Sequence, residues 1–174
     1  NGTSRGVLVD ASNMEVYGNL IYNNNIGVDT GAAGIVLNSG GWDGIKIVNN
    51  TVYNGSGKCI WQTTGTVTNS RIENNICWGN ANNFIDLDGT GFTCDRNTAT
   101  TFNASCTNNS TADPLFVNAA SQDFNLQSGS PAFETGTATS AVAGFACHAA
   151  GCNRGAMVAP TARPKAAKAQ QQPR

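Results

Sequence analysis

The sequence predicts an all-β solenoid, and three observations carry that prediction. An asparagine-centred phrase recurs along the chain, a second apolar ladder runs between its copies, and polarity comes from Asn, Thr, Gly and Ser rather than from charge. Only 12% of the 174 residues are charged. Asn, Thr and Gly are poor helix formers, and Asn and Gly populate turns, so this composition favours short strands joined by tight corners. A chain of this length closes a hydrophobic core without needing a metal.

The recurring phrases are "VYGNLIYN" (16–23), "IVNNTVYN" (47–54), "IENNICWGN" (72–80) and the worn "CDRNTAT" (94–100). Registering them on Asn19, Asn50, Asn75 and Asn97 gives spacings of 31, 25 and 22 residues. Val16, Ile47, Ile72 and Cys94 then fall three positions before the asparagine, and Ile21, Val52, Cys77 and Ala99 two after it. Fixed-register self-similarity of this kind marks stacked coils. An inward Asn at a coil corner bonds its neighbours above and below, satisfying turn amides that would cost about 1–3 kcal/mol each if left unpaired.

The second ladder reads "GVLVD" (6–10), "GIVLN" (34–38), "CIWQ" (59–62) and "IDLD" (85–88). It places Val7, Ile35, Cys59 and Ile85 at one inward position and Val9, Leu37, Trp61 and Leu87 at the next. Strand alternation turns Leu8, Val36, Ile60 and Asp86 outward. Neither strand of a period buries its apolar face alone, so successive coils must stack. Cys59 and Cys77, lying in inward rows, read as reduced core residues that behave as small hydrophobes.

Downstream come "DPLFVNAASQDFNLQSGSPAFETG" (113–136) and "CNRGAM" (152–157). Together with the ladders, these phrases resemble the right-handed parallel β-helix superfamily, the pectate-lyase-like solenoids. The C-terminal phrase is similar to the closing segment of many secreted bacterial β-helix proteins, although Cys152 and Asn153 stand where an Asp usually accompanies the Arg. The resemblance implies a right-handed parallel β-helix of about four coils over residues 1–112 and an irregular C-terminal cap over 113–157. In that cap Pro114 and Pro131 stop strand pairing, while Phe116, Phe124, Leu126 and Phe133 cover the open end of the core. Residues 158–174, rich in Pro, Ala, Lys and Gln, read as a disordered tail.

Six cysteines fit no zinc spacing, so no metal ligands are assigned. Cys94 with Cys106, and Cys147 with Cys152, read as short-loop disulfides of a secreted, extracellular protein. No apolar run reaches the roughly 18 residues of a membrane span, and the start at Asn1 reads as the C-terminal piece of a longer exported chain. The net charge of -1 hides an asymmetry: residues 160–174 hold four basic side chains and no acid, leaving six basic against eleven acidic residues elsewhere. A groove that grips nucleic acid is therefore not expected.

For function, the resemblance implies a lyase, hydrolase or epimerase of acidic polysaccharides. Asp86 and Asp88 share one strand parity, opposite to Ile85 and Leu87, and Asp10, Asn38 and Gln62 precede Asp88 on its own row, a pattern suited to Ca²⁺ or to a paired acid and base. The alternative is that these are turn carboxylates satisfying backbone amides. Lys46, Lys58 and Arg71 are the candidate bases for elimination, and His148 is the single histidine. Tyr22, Tyr53 and Trp78 each follow a ladder asparagine by three and should stack on one outer face, either gripping sugar rings, with Trp42 nearby, or packing beneath a long turn. The opposing class is a non-catalytic solenoid, an adhesin, surface-layer or filament subunit, with end-to-end self-assembly.

Overall fold

A computed structural model describes residues 5–24, 33–87, 91–102, 106–136 and 152–156. The first coil holds β1 (Val7–Val9), β2 (Glu15–Tyr17) and β3 (Leu20–Tyr22), and the second β4 (Ala33–Leu37), β5 (Gly40–Asp43), β6 (Lys46–Val48) and β7 (Thr51–Tyr53). The third holds β8 (Lys58–Gln62), β9 (Gly65–Thr68), β10 (Ser70–Glu73) and β11 (Ile76–Trp78). After it come β12 (Asn82–Asp86), β13 (Phe92–Asp95), the two-residue β14 (Thr101–Phe102) and a hairpin of β15 (Phe116–Asn118) and β16 (Asp123–Leu126).

Like strands stack in parallel. Sheet A runs β1-β4-β8-β12-β14, sheet B β2-β6-β10-β13, sheet C β3-β7-β11, and β5 pairs with β9 in a narrow fourth face. The result is a β-solenoid of about three turns, rather than the four expected. The reason lies in the taper of the ladder, whose rungs stand 31, 25, 22 and finally 12 residues apart. The last turn has too little chain to build three strands.

The ladder forms from Asn19 to Asn97 and continues to Asn109. Each asparagine's Oδ1 accepts from the backbone N–H of the asparagine one coil earlier, at 3.1, 3.0, 2.9 and 2.7 Å in order along the chain. The Nδ2 groups of Asn50, Asn75 and Asn97 donate to the carbonyls of Val16, Ile47 and Ile72 at 2.8, 2.8 and 2.9 Å. The doubled asparagine also has a reason: its first member turns the corner. Gly18, Asn49, Asn74, Arg96 and Asn108 precede the ladder residues and all have positive φ, from 50 to 63°. Asn and Gly enter this left-handed region routinely, whereas other L-residues meet a penalty of about 1–2 kcal/mol.

Sheet A corrects one register. Ile35 pairs with Ile60, and Val36 with Trp61. Ile60 is therefore fully buried and Trp61 half-buried on the outer face, the reverse of the expected assignment. The 25-residue step from Asn50 to Asn75 holds here too; anchoring Cys59 on Ile35 slips the strand by one, which flips every side chain. Gln62 likewise pairs with Leu37 and lies inside, not in the row of Asp10 and Asn38.

Cys59 still faces the lumen, because it sits where the chain enters sheet A, and it is bonded to Cys77 of the same coil. The expectation of reduced thiols is thus overturned. The earlier coils show why the two rows meet: a Cβ on Gly6 would come within 2.6 Å of an Ile21 methyl, and one on Gly34 would strike Val52. Gly6–Ile21 and Gly34–Val52 fill the same gap that Cys59 and Cys77 bridge. Cys94 and Cys106, on successive rungs, form a second disulfide at the tapered end. Cys152 is also disulfide-bonded; the expected partner, Cys147, lies outside the described residues.

The C-terminal segments lie along the side of the solenoid. Arg154 reaches the carbonyls of Asn97 and Asn108, Asn49 donates to the carbonyl of Asn153, and Ala156 N–H donates to Thr51 Oγ1. Residues 152–156 therefore strap the row of left-handed corners across successive coils. Asn153, standing where the usual Asp is missing, accepts from the Glu134 N–H at 2.9 Å.

Candidate functional site

The aromatic row forms in the expected register, Tyr22 on Tyr53 on Trp78 along the outer face of sheet C. Trp42 is elsewhere, in β5, with its indole N–H on the Asn38 carbonyl at 2.9 Å. The Tyr22 and Tyr53 rings pack against the β15–β16 hairpin, and the long turn at 29–33 lies, apart from Ala33, outside the described residues. Phe124 stacks 5.5 Å from Tyr22 and 5.2 Å from Tyr53, Phe116 lies edge-on 5.9 Å from Tyr53, and the Tyr22 hydroxyl donates to Gln122 Oε1 at 2.9 Å. Phe116 and Phe124 thus seal the side of the solenoid, whereas the sequence placed them over its end. The rings need burial, and the row on sheet C is the apolar surface their hairpin can reach.

The hairpin stops short of Trp78, and a cleft of about 300 Å³ opens there, lined by Tyr53, Trp78, Asp113, Leu115, Phe116, Ala119 and Gln127. Next to Trp78, Gly79 stands at φ 66°, where a Cβ would come within 2.9 Å of the Tyr53 ring. The lip of the cleft is Leu115, 38% exposed and held at φ 50°. A leucine in the left-handed region is a true outlier, and such strain persists only where neighbours over-determine it. Here they do: Asp113 Oδ1 accepts from the Leu115 N–H at 2.8 Å, the Leu115 carbonyl accepts from Gln127 N–H at 3.0 Å, and Ser130 Oγ donates to the Pro114 carbonyl. Gln127 Nε2 is tied to the Phe116 carbonyl at 3.0 Å.

Of the residues singled out from sequence, Tyr53 and Trp78 meet in this cleft and Tyr22 is walled off from it. Asp113, Leu115 and Gln127 were missed as site residues, although the "DPLF" phrase that carries the first two was read as a closing element. Asp86 lies on the opposite flank, in sheet A beside Trp61, ion-paired to Lys58, whose ammonium stands 4.5 Å over the Trp61 ring. Asp88 lies outside the described residues. The other candidate bases are engaged as well, Lys46 with Glu15 at 2.6 Å and Arg71 with Glu73 at 3.8 Å. His148 lies outside the described residues. Among the described residues no group of three or more His, Cys, Asp or Glu is placed to hold a metal ion.

Two buried ionisable groups went unnoticed in the sequence. Glu73, 5% exposed on sheet B, is pushed above the ordinary glutamate range by burial; Arg71 opposes this and Asp95, on the next rung, adds to it. Arg154 is drawn below the usual guanidinium value by burial and then by Arg96, with Asp95 opposing. Asp95 itself accepts from Thr107 and Asn108 at 2.9 and 2.8 Å. These groups serve the strap and the last rungs.

No family model, curated protein or solved structure gives a significant match to the chain. The case for function therefore rests on the fold and the cleft. The Cys59–Cys77 and Cys94–Cys106 disulfides, with Cys152 bonded as well, point to an oxidising compartment. No helix among the described residues is long and apolar enough to cross a membrane.

Proposed function

We propose that this chain is a secreted, carbohydrate-binding β-solenoid that holds polysaccharide against Trp78. The observation that carries this reading is the interrupted aromatic row: the hairpin covers Tyr22 and much of Tyr53, yet Trp78 is left half-exposed beside a carboxylate and an amide. Sugar rings present flat C–H surfaces to an indole face and hydroxyls to polar side chains, and this cleft offers both kinds of surface. Strain at Leu115 on the lip supports the same reading, because backbone outliers cluster at ligand clamps.

Binding is favoured over turnover. Hydrolysis of a glycosidic bond uses two carboxyl groups flanking it, and among the described residues the cleft is lined by one, Asp113. The test is retention of the protein on insoluble polysaccharides, compared with Trp78→Ala. Because Trp78 is only half-buried, the variant should fold with an unchanged circular dichroism spectrum and lose retention; retention equal to the parent protein's would refute the assignment.

A non-catalytic assembly role is the second reading, favoured by the exposed Leu8, Tyr17 and Leu20 on the first coil. It predicts concentration-dependent association seen by sedimentation, undiminished by Trp78→Ala.

A further inference from the structure

We infer that the Trp78 cleft selects uncharged glycan chains and discriminates against the uronate-bearing, acidic polysaccharides that the sequence resemblance suggested. The inference rests on the binding reading above and concerns the class of sugar.

Of the seven described residues lining the cleft, Asp113 is the single carboxylate, and none is Lys, Arg or His. Asp113 is exposed, and one of its oxygens is committed to the Leu115 N–H, which fixes the carboxylate at the mouth of the cleft. A uronate seated on Trp78 would bring its own carboxylate to a site whose described lining offers no cation to receive it. Like-charge juxtaposition at a binding site is unfavourable, and most so at low salt.

Neutral sugars meet the opposite situation. An ionised carboxylate accepts hydrogen bonds only, and a hydroxyl donating to it makes the stronger, charge-assisted kind. Leu115, Phe116 and Ala119 supply apolar walls for the ring's C–H faces. At about 300 Å³ the cleft lies at the small end of ligand pockets, so it holds a short stretch of chain and leaves the remainder in solvent.

The experiment is calorimetric titration of the full chain at low salt with three hexasaccharides: a neutral glucose oligomer, a galacturonate oligomer and a cationic glucosamine oligomer. The neutral oligomer should bind at least about tenfold more tightly than the galacturonate oligomer. Asp113→Asn retains the oxygen that accepts from Leu115 N–H while removing the charge, and should shrink that ratio by weakening neutral binding and relieving the repulsion. Galacturonate binding as tight as neutral binding, and lost in Trp78→Ala, would overturn the inference and leave the binding reading intact. Tightest binding of the glucosamine oligomer, abolished by Asp113→Asn, would replace the neutral class by a cationic one. Failure of all three to bind would instead sink the binding reading itself.

Discussion

At the scale of single residues, the ladder asparagines act through hydrogen-bond satisfaction inside the solenoid. Asn75 accepts from the N–H and Nδ2 of Asn50 and donates to the Ile47 carbonyl and Asn97 Oδ1, all within a buried column. Asn75→Ala leaves several of these partners unpaired at about 1–3 kcal/mol each, so a loss of at least about 3 kcal/mol is expected from urea unfolding. Asn19, exposed at the first rung, should tolerate the same change at under about 1 kcal/mol; equal losses at the two sites would mean the column is not what holds the coils. This logic was legible in the sequence because each rung must repeat it. Asn109 escaped notice although "TNNST" spells the same phrase, because its coil has only 12 residues and breaks the period. The Cys59–Cys77 bond was not legible, since no spacing says which two inward rows face each other across the lumen.

At the scale of elements, the hairpin is the part the sequence placed wrongly. Its apolar residues and its prolines were readable as a stop to coil formation, but its docking surface lies up to 100 residues away, at Tyr22. Local pattern carries no information on a contact of that range. The sheets were readable because their apolar rows repeat every coil; the error of one residue in β8 came from matching a Cys to an Ile, and Val36, expected outward, is fully buried. If the hairpin is held mainly by its ring contacts, Phe124→Ala should cost about 3–5 kcal/mol. Hydrogen exchange should then show protection lost from Phe116–Asn118 and Asp123–Leu126 and kept in β3, β7 and β11. Exchange spreading through sheet C would show that the hairpin is integral to the coil stack.

At the scale of the whole molecule, two features set the behaviour. The first is pH dependence. Glu73 has its folded-state pKa raised chiefly by burial, so the folded protein binds its proton more tightly than the unfolded chain does. That contribution is fully present below the unfolded pKa and is lost as pH rises through the folded one. Glu73→Gln should therefore flatten the fall in stability over that window and raise the melting temperature at neutral pH; a variant less stable at neutral pH would show that the Arg71 pairing outweighs the burial. The second feature is the placement of tryptophans on three different faces. Trp42 is in β5, Trp61 sits beneath Lys58 on sheet A, and Trp78 lines the cleft on sheet C. Their three indole N–H resonances form an internal reporter for the central claim. Titrating ¹⁵N-labelled protein with a neutral glucose hexasaccharide should move the Trp78 resonance in a saturable manner and leave those of Trp42 and Trp61 in place. A shift confined to Trp61 would transfer function to the Lys58–Asp86 flank, and three unmoved resonances would contradict the account of this solenoid as a glycan-binding protein.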